Sequence, residues 1–136
     1  MKILAVILAL GLATPALAND AAIDGMQEYL DFADYEAGII LPQQIDQTVF
    51  EAATFIDTRD AGQFDAGTIP GAVNIEWREV LLRMDEIPQT GMVILFCNTG
   101  SLSAQATFAL RVAGRTNAVV MQGGIQGWQR DTAYQP

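Results

Sequence analysis

The feature that most constrains how this chain can fold is an unbroken apolar run, Val93-Ile94-Leu95-Phe96, that stops at Cys97. A strand with one face in water alternates apolar and polar residues. A strand that is apolar throughout is buried on both faces, which is the environment of a parallel sheet covered by helices. The run is followed by Asn98-Thr99-Gly100-Ser101-Leu102-Ser103 and then by Ala104 to Leu110. This order reads as buried strand, tight loop of small residues and helix, with the helix spanning Ser103 to Ala113 and Gly114 at its end.

The rest of the chain from Thr48 onward repeats the theme. Thr54-Phe55-Ile56-Asp57 reads as a short strand ending in polar residues, and Asp60 to Phe64 as one or two helical turns. Ile69-Pro70-Gly71-Ala72 reads as a turn and Val73-Asn74-Ile75 as a second strand. Arg78 to Met84 is expected to be helical, ending at or before Ile87, the residue preceding Pro88. Ala118 to Met121 gives a further strand, Gly123-Gly124 a turn, and Ile125 to Gln129 the start of a last helix. Strands alternating with helices predict an α/β domain, with a small, mostly parallel sheet flanked by helices on both faces.

Cys97 is the only cysteine, and it lies where the apolar run gives way to small polar residues. Backbone N–H groups of such a loop can point inward at the sulfur, and the following helix N-terminus adds partial positive charge. Both favour the thiolate, the nucleophilic form of cysteine. The residues equally allow a buried core thiol, a common fate of free cysteine.

The absence of histidine removes Cys-His and Ser-His-Asp catalysis and the commonest metal ligand. One cysteine builds neither a multi-thiolate metal site nor an intramolecular disulfide, so no metal and no cofactor is expected. Met1-Lys2, the apolar stretch Ile3 to Leu12 and the small-residue site Ala16-Leu17-Ala18 read as a secretory signal peptide over residues 1–18, cleaved before Asn19. The apolar stretch falls short of the roughly 20 residues that a membrane span needs. An exported, periplasmic protein is therefore expected, in a compartment that oxidises thiols. Lys2 is the only lysine and leaves with that leader, so the remaining chain has 6 arginines against 16 carboxylates, a net charge of −10. Such acidity argues against nucleic acid and anionic membranes as partners. Seven of the carboxylates lie between Asn19 and Gln47 with no basic residue among them. Residues 19–47 read as an acidic arm packing on the domain through a face of Met26, Tyr29, Leu30 and Ala33, with an extended lead-in at Gly38 to Pro42. A protein partner for this arm is left open.

Three segments together carry a family resemblance. Ile56-Asp57-Thr58-Arg59 with Gln63-Phe64 and Gly67-Thr68-Ile69-Pro70-Gly71-Ala72-Val73-Asn74-Ile75 resembles the N-terminal signature of rhodanese domains. Cys97 to Ser103 resembles their active-site loop, and Gln122-Gly123-Gly124-Ile125-Gln126-Gly127-Trp128 their closing motif. The resemblance covers Thr48 to Arg130, within an expected domain of residues 48–136. It implies sulfane-sulfur transfer, in which the thiolate takes sulfur from a donor such as thiosulfate and an acceptor (cyanide or a thiol) removes it. By the match Cys97 is the nucleophile. Asn98, Thr99, Gly100, Ser101, Leu102 and Ser103 form the cradle that binds the sulfur substrate, without a general base.

The loop departs from many in the family by carrying Asn98 and Leu102 where arginines often stand, and Thr68 where histidine often stands. Arg78 follows the second strand and is a candidate cation over the pocket; its other reading is a solvated residue at a helix start. The resemblance suggests that Asp57 and Arg59 brace loops by ion pairing and hydrogen bonding, and Trp128 reads as a core anchor. Two further function classes compete with the sulfurtransferase. One is a rhodanese-like module that binds a sulfur species or partner protein without turnover. The other is phosphatase or arsenate-reductase chemistry on a related fold, against which Leu102 counts because those loops hold an arginine for the oxyanion.

Overall fold

The computed structural model describes residues 20–136, so the leader expected over residues 1–18 lies outside the described residues. Five strands, β1 (Ile39–Ile40), β2 (Thr54–Asp57), β3 (Val73–Asn74), β4 (Val93–Phe96) and β5 (Ala118–Met121), make one sheet. Their order is β1-β5-β4-β2-β3, and every pairing is parallel. The helices are α1 (Asp20–Phe32), α2 (Gln47–Ala52), α3 (Ala61–Ala66), α4 (Ser101–Val112) and α5 (Gly124–Asp131), with short 3-10 turns at Pro42–Gln44 and Met84–Glu86. Asp46 and Asp60 start α2 and α3 as N-caps, accepting the N–H of Val49 and of Gln63 at 2.9 Å each. Each cap satisfies a donor that the first helical turn leaves free.

Strand β4 is buried on both faces, as its composition predicts. Ile94 and Phe96 point into one core with Ile40, Phe55, Ile69, Met121, Ile125 and Trp128. Val93 and Leu95 point into the other with Ile56, Ile75, Val80, Ala106 and Leu110. Helix α5 covers the first face and α4 the second. The chain moves one way along the sheet from β2 to β3 and the opposite way from β4 to β5. The crevice outside the carboxyl ends of β2 and β4 is therefore where connections diverge, the usual ligand position in open parallel sheets.

Two local expectations are corrected. Arg78 to Met84 is a succession of turns followed by the 3-10 turn, with no α-helix. Of its consecutive apolar residues only Val80 is buried, while Leu82 is 87% exposed, so the segment has no helical face to bury. Its end is held by a side chain instead. The buried Arg115 guanidinium donates to the carbonyls of Met84 and Ile87 at 3.1 and 3.3 Å. Helix α4 starts at Ser101, two residues before the expected Ser103, because Gly100 takes the left-handed conformation (φ 101°) that turns the chain directly into the helix.

The acidic segment enters the fold at two points. Its lead-in is the edge strand β1, whose Ile39 and Ile40 pair with Val120 and Met121. Helix α1 lies against α4, where Tyr29 meets Phe108 edge-on at 5.4 Å and its hydroxyl accepts from Arg111 Nε at 3.1 Å.

Candidate active site

Cys97 follows the last residue of β4, so the strand carries it to the carboxyl edge of the sheet. The residue is buried overall, yet it lines a cavity of about 270 Å3 with Thr58, Arg59, Trp77, Asn98, Thr99 and Leu102. A cysteine that borders a cavity differs from one enclosed wholly in the core, although both are buried.

Three features set the state of that sulfur. The Gly100 N–H donates to Sγ at 3.2 Å, and Ser103 Oγ lies 3.4 Å away. Ser103 Oγ is also 3.1 Å from the Gly100 carbonyl oxygen. A hydroxyl has one proton to donate, and an anionic sulfur is the stronger acceptor, so the proton turns to Sγ once the thiolate forms. The 12-residue α4 then directs the positive end of its dipole at the same atom. Burial works against the thiolate, but the Ser103 hydroxyl and the N–H groups of Ser103, Thr99 and Gly100 outweigh it. The Cys97 thiol accordingly sits below its ordinary pKa.

The loop keeps its shape because its carbonyls are used elsewhere. The N–H of Ile125 donates to the Cys97 carbonyl at 2.8 Å, and that of Gln126 to the Asn98 carbonyl at 3.2 Å. These are free donors of the first turn of α5, spent on the loop. Close approach requires glycine at position 124, which has φ +58°, and where a Cβ would overlap the Cys97 carbonyl oxygen and lie 2.6 Å from the Asn98 carbonyl carbon. With the Asn98 carbonyl drawn toward α5, the Thr99 N–H of the same peptide is turned toward the sulfur.

A second brace comes from β2. The fully buried Asp57 carboxylate accepts from Arg59 Nε and NH2, from the Arg59 N–H and from Thr68 Oγ1, at 2.6 to 3.0 Å. Arg59 also donates to the Gly67 carbonyl at 2.7 Å and reaches Asn98 Oδ1 at 3.4 Å. The Asp57 hydrogen bonds and charge hold the Arg59 guanidinium above its ordinary pKa, against the effect of burial. Asn98 Nδ2 donates to Gln63 Oε1 at 2.6 Å, which ties the loop to α3.

The structure thus brings together all the residues singled out from the sequence, in different capacities. Cys97, Asn98, Thr99, Ser101, Leu102 and Arg78 line the cavity. Gly100 and Ser103 lie behind the sulfur and donate to it. Leu102 and Ser101 belong to the first turn of α4 rather than to a loop, and both are exposed at the rim. Arg78 is an exposed rim residue whose Nε and backbone N–H donate to Glu76 at 3.1 Å. Three contributors escaped sequence reasoning: Glu76, Gln63 as the partner of Asn98, and the α5 N-terminus as the clamp on the loop. The Gly123-Gly124 pair signals a turn there, but its contact with the cysteine peptide needs the tertiary structure.

A cysteine at the carboxyl edge of the central strand of a parallel sheet, cradled by N–H groups at a helix start, defines the class: an α/β domain built around a thiolate loop. The sequence matches the family model of the rhodanese-like domain over residues 41–131, and the chain belongs to that family. A protein of Allochromatium vinosum named sulfurtransferase is 31% identical over 80 residues, covering 59% of this chain and 75% of that one. The probable adenylyltransferase/sulfurtransferase MoeZ of Mycobacterium tuberculosis is 38% identical over 79 residues, covering 55% of this chain but 20% of MoeZ. This chain thus spans only a fifth of that larger relative. A solved structure of a rhodanese-related protein from Thermoplasma volcanium superposes with a TM-score of 0.63 at 26% identity, covering 71% of this chain and 93% of that one.

Proposed function

We propose that the chain is an exported sulfurtransferase in which Cys97 carries sulfane sulfur as a persulfide. The observation that carries this reading is the Cys97 sulfur itself: it opens into a cavity, accepts from Gly100 N–H and has its pKa lowered without any histidine in the chain. A thiol whose ionisation is favoured by hydrogen bonds reaches its nucleophilic form without a general base.

The thiolate attacks the outer sulfur of a donor such as thiosulfate, a new S–S bond forms, and the donor's S–S bond breaks to release sulfite. In the second half an acceptor, cyanide or a thiolate, attacks the outer sulfur of the persulfide and Cys97 leaves as thiolate. The same N–H donors that steady the thiolate steady the persulfide anion, so both resting states lie in one electrostatic environment. The names of the relatives support the reaction class. The loop between Cys97 and Ser103 contains no arginine to hold a tetrahedral oxyanion, which disfavours phosphatase or arsenate-reductase chemistry. Export rests on the apolar stretch and small-residue site within residues 1–18, and the mass of protein recovered from the periplasmic fraction checks it by beginning at Asn19.

The decisive experiment is intact-mass analysis after incubation with thiosulfate or an organic persulfide, alongside Cys97→Ser. The wild type gains one sulfur atom, the variant gains none, and cyanide or a thiol removes the adduct. An unmodified wild type with every donor would instead favour a rhodanese-like module that binds without turnover.

A further inference from the structure

The cavity before Cys97 is lined by two arginines, and neither offers a free charge. Arg59 is engaged by the buried Asp57 carboxylate and by the Gly67 carbonyl. Arg78 Nε lies 3.1 Å from both oxygens of Glu76, and the Arg78 backbone N–H donates to the same carboxylate. Asp60 contributes a further carboxylate to the lining, while Trp77 and Leu102 add apolar surface. Counting the lining side chains with Asp57, three carboxylates face two guanidinium groups.

We infer that Glu76 is a specificity-determining residue: by neutralising Arg78 at the pocket rim it turns the site from dianionic donors toward neutral alkyl persulfides, R–S–SH. The inference rests on the sulfurtransferase reading of Cys97. Thiosulfate carries two negative charges into a pocket bordered by carboxylates, where the group that attacks it is itself an anionic thiolate, and attack requires a cation to offset that repulsion. Here the available cations are already paired. An alkyl persulfide in its protonated form brings no charge at the reacting atoms, and its carbon skeleton can lie against Trp77 and Leu102. The balanced step is Cys97–S⁻ plus R–S–SH giving Cys97–S–SH plus R–S⁻: one S–S bond forms, one breaks, and no external oxidant or reductant is needed.

Glu76 is half-buried, with its side chain 19% exposed, whereas Arg78 is 73% exposed. The carboxylate is therefore the fixed partner of the pair and the guanidinium the adjustable one. Removing the charge of Glu76 frees a cation at the rim without touching the cysteine loop.

The test uses the full chain, with thiosulfate and 2-hydroxyethyl persulfide, whose carbon chain bears no charge, as probes and the rate of sulfur gain on Cys97 as the readout. The wild type loads from the persulfide about tenfold faster or more, and its loading by thiosulfate speeds up as salt screens the repulsion. Glu76→Gln raises thiosulfate loading about 3- to 10-fold, leaves persulfide loading within about twofold, and weakens the salt effect. Thiosulfate loading at parity in the wild type, or thiosulfate loading that falls with salt, overturns the inference while leaving Cys97 a sulfur carrier. A folded Glu76→Gln variant with unchanged donor preference overturns it as well. If that variant does not fold, the donor ratio and salt dependence of the wild type decide alone. Loading from neither donor removes the sulfurtransferase reading itself, and this inference with it.

Discussion

The Ile125 N–H donates to the carbonyl of Cys97 at 2.8 Å, so the Cys97 peptide is held by the helix that closes the domain. The contact depends on Gly124, whose backbone has φ +58° and whose Cα faces the Cys97 and Asn98 peptides. Gly124→Ala is expected to destabilise the fold by about 2–4 kcal/mol, from the left-handed conformation and the forced separation of loop and helix. Urea denaturation measures the loss. Alkylation of Cys97 by iodoacetamide falls in parallel, because the N–H groups of the loop no longer converge on the sulfur.

The pH dependence of that alkylation reports the thiolate directly. Burial opposes ionisation, and the hydrogen bonds from Ser103, Thr99 and Gly100 prevail, so the midpoint of the rate profile lies below that of a free thiol. Ser103→Ala removes one donor and moves the midpoint upward. A folded-state pKa depressed below the unfolded value contributes stability that is fully present above the unfolded thiol pKa. It is lost as pH falls through the folded one. Wild type therefore gains stability over Cys97→Ser across that alkaline window, and the gain disappears below it.

Asp57 and Arg59 carry the second brace. The Asp57 carboxylate is wholly buried, so losing its cation leaves an unpaired charge in the interior. Arg59→Ala is expected to cost about 3–5 kcal/mol. Thr68→Val removes one donor from the same carboxylate and is expected to cost about 1–3 kcal/mol. Chemical denaturation of both variants checks the order, and a smaller loss for Arg59→Ala than for Thr68→Val would contradict it.

Arg115 holds the segment between β3 and β4 by donating to the carbonyls of Met84 and Ile87. Arg115→Met keeps the apolar stem and removes both bonds. It is expected to cost about 2–4 kcal/mol and to open residues 84–91 to proteolysis, read by limited digestion and mass spectrometry.

What could be read in the sequence, and what could not, follows from the range of the forces involved. Val93 to Phe96 shows its burial on both faces because each residue is apolar, and β4 does lie at the centre of a parallel sheet. The small residues after Cys97 announce a loop and a helix start, and both are found. The segment at Arg78 to Met84 misleads because Val80-Leu81-Leu82 looks like a helical core, whereas Leu81 and Leu82 are exposed and only the segment's end is held, by Arg115 at the Met84 carbonyl. Gly38 to Pro42 reads as extended and Ile39–Ile40 do form β1, but two residues carry no signal for which edge they join; that β5 is the partner needs the tertiary structure. Glu76 looks like any surface carboxylate until its contacts with Arg78 are seen.

The pairing of β1 with β5, and of α5 with the Cys97 peptide, sets an order of events during biogenesis. A nascent chain that has passed Cys97 still lacks Ile125 and Gln126, and thus lacks the clamp that turns the loop N–H groups inward. Until residues 124–126 dock on the loop, the N–H groups that favour ionisation of Cys97 are not held in place. Ionisation of Cys97 is thereby tied to docking of α5, and a chain in which that helix is undocked carries a less acidic thiol.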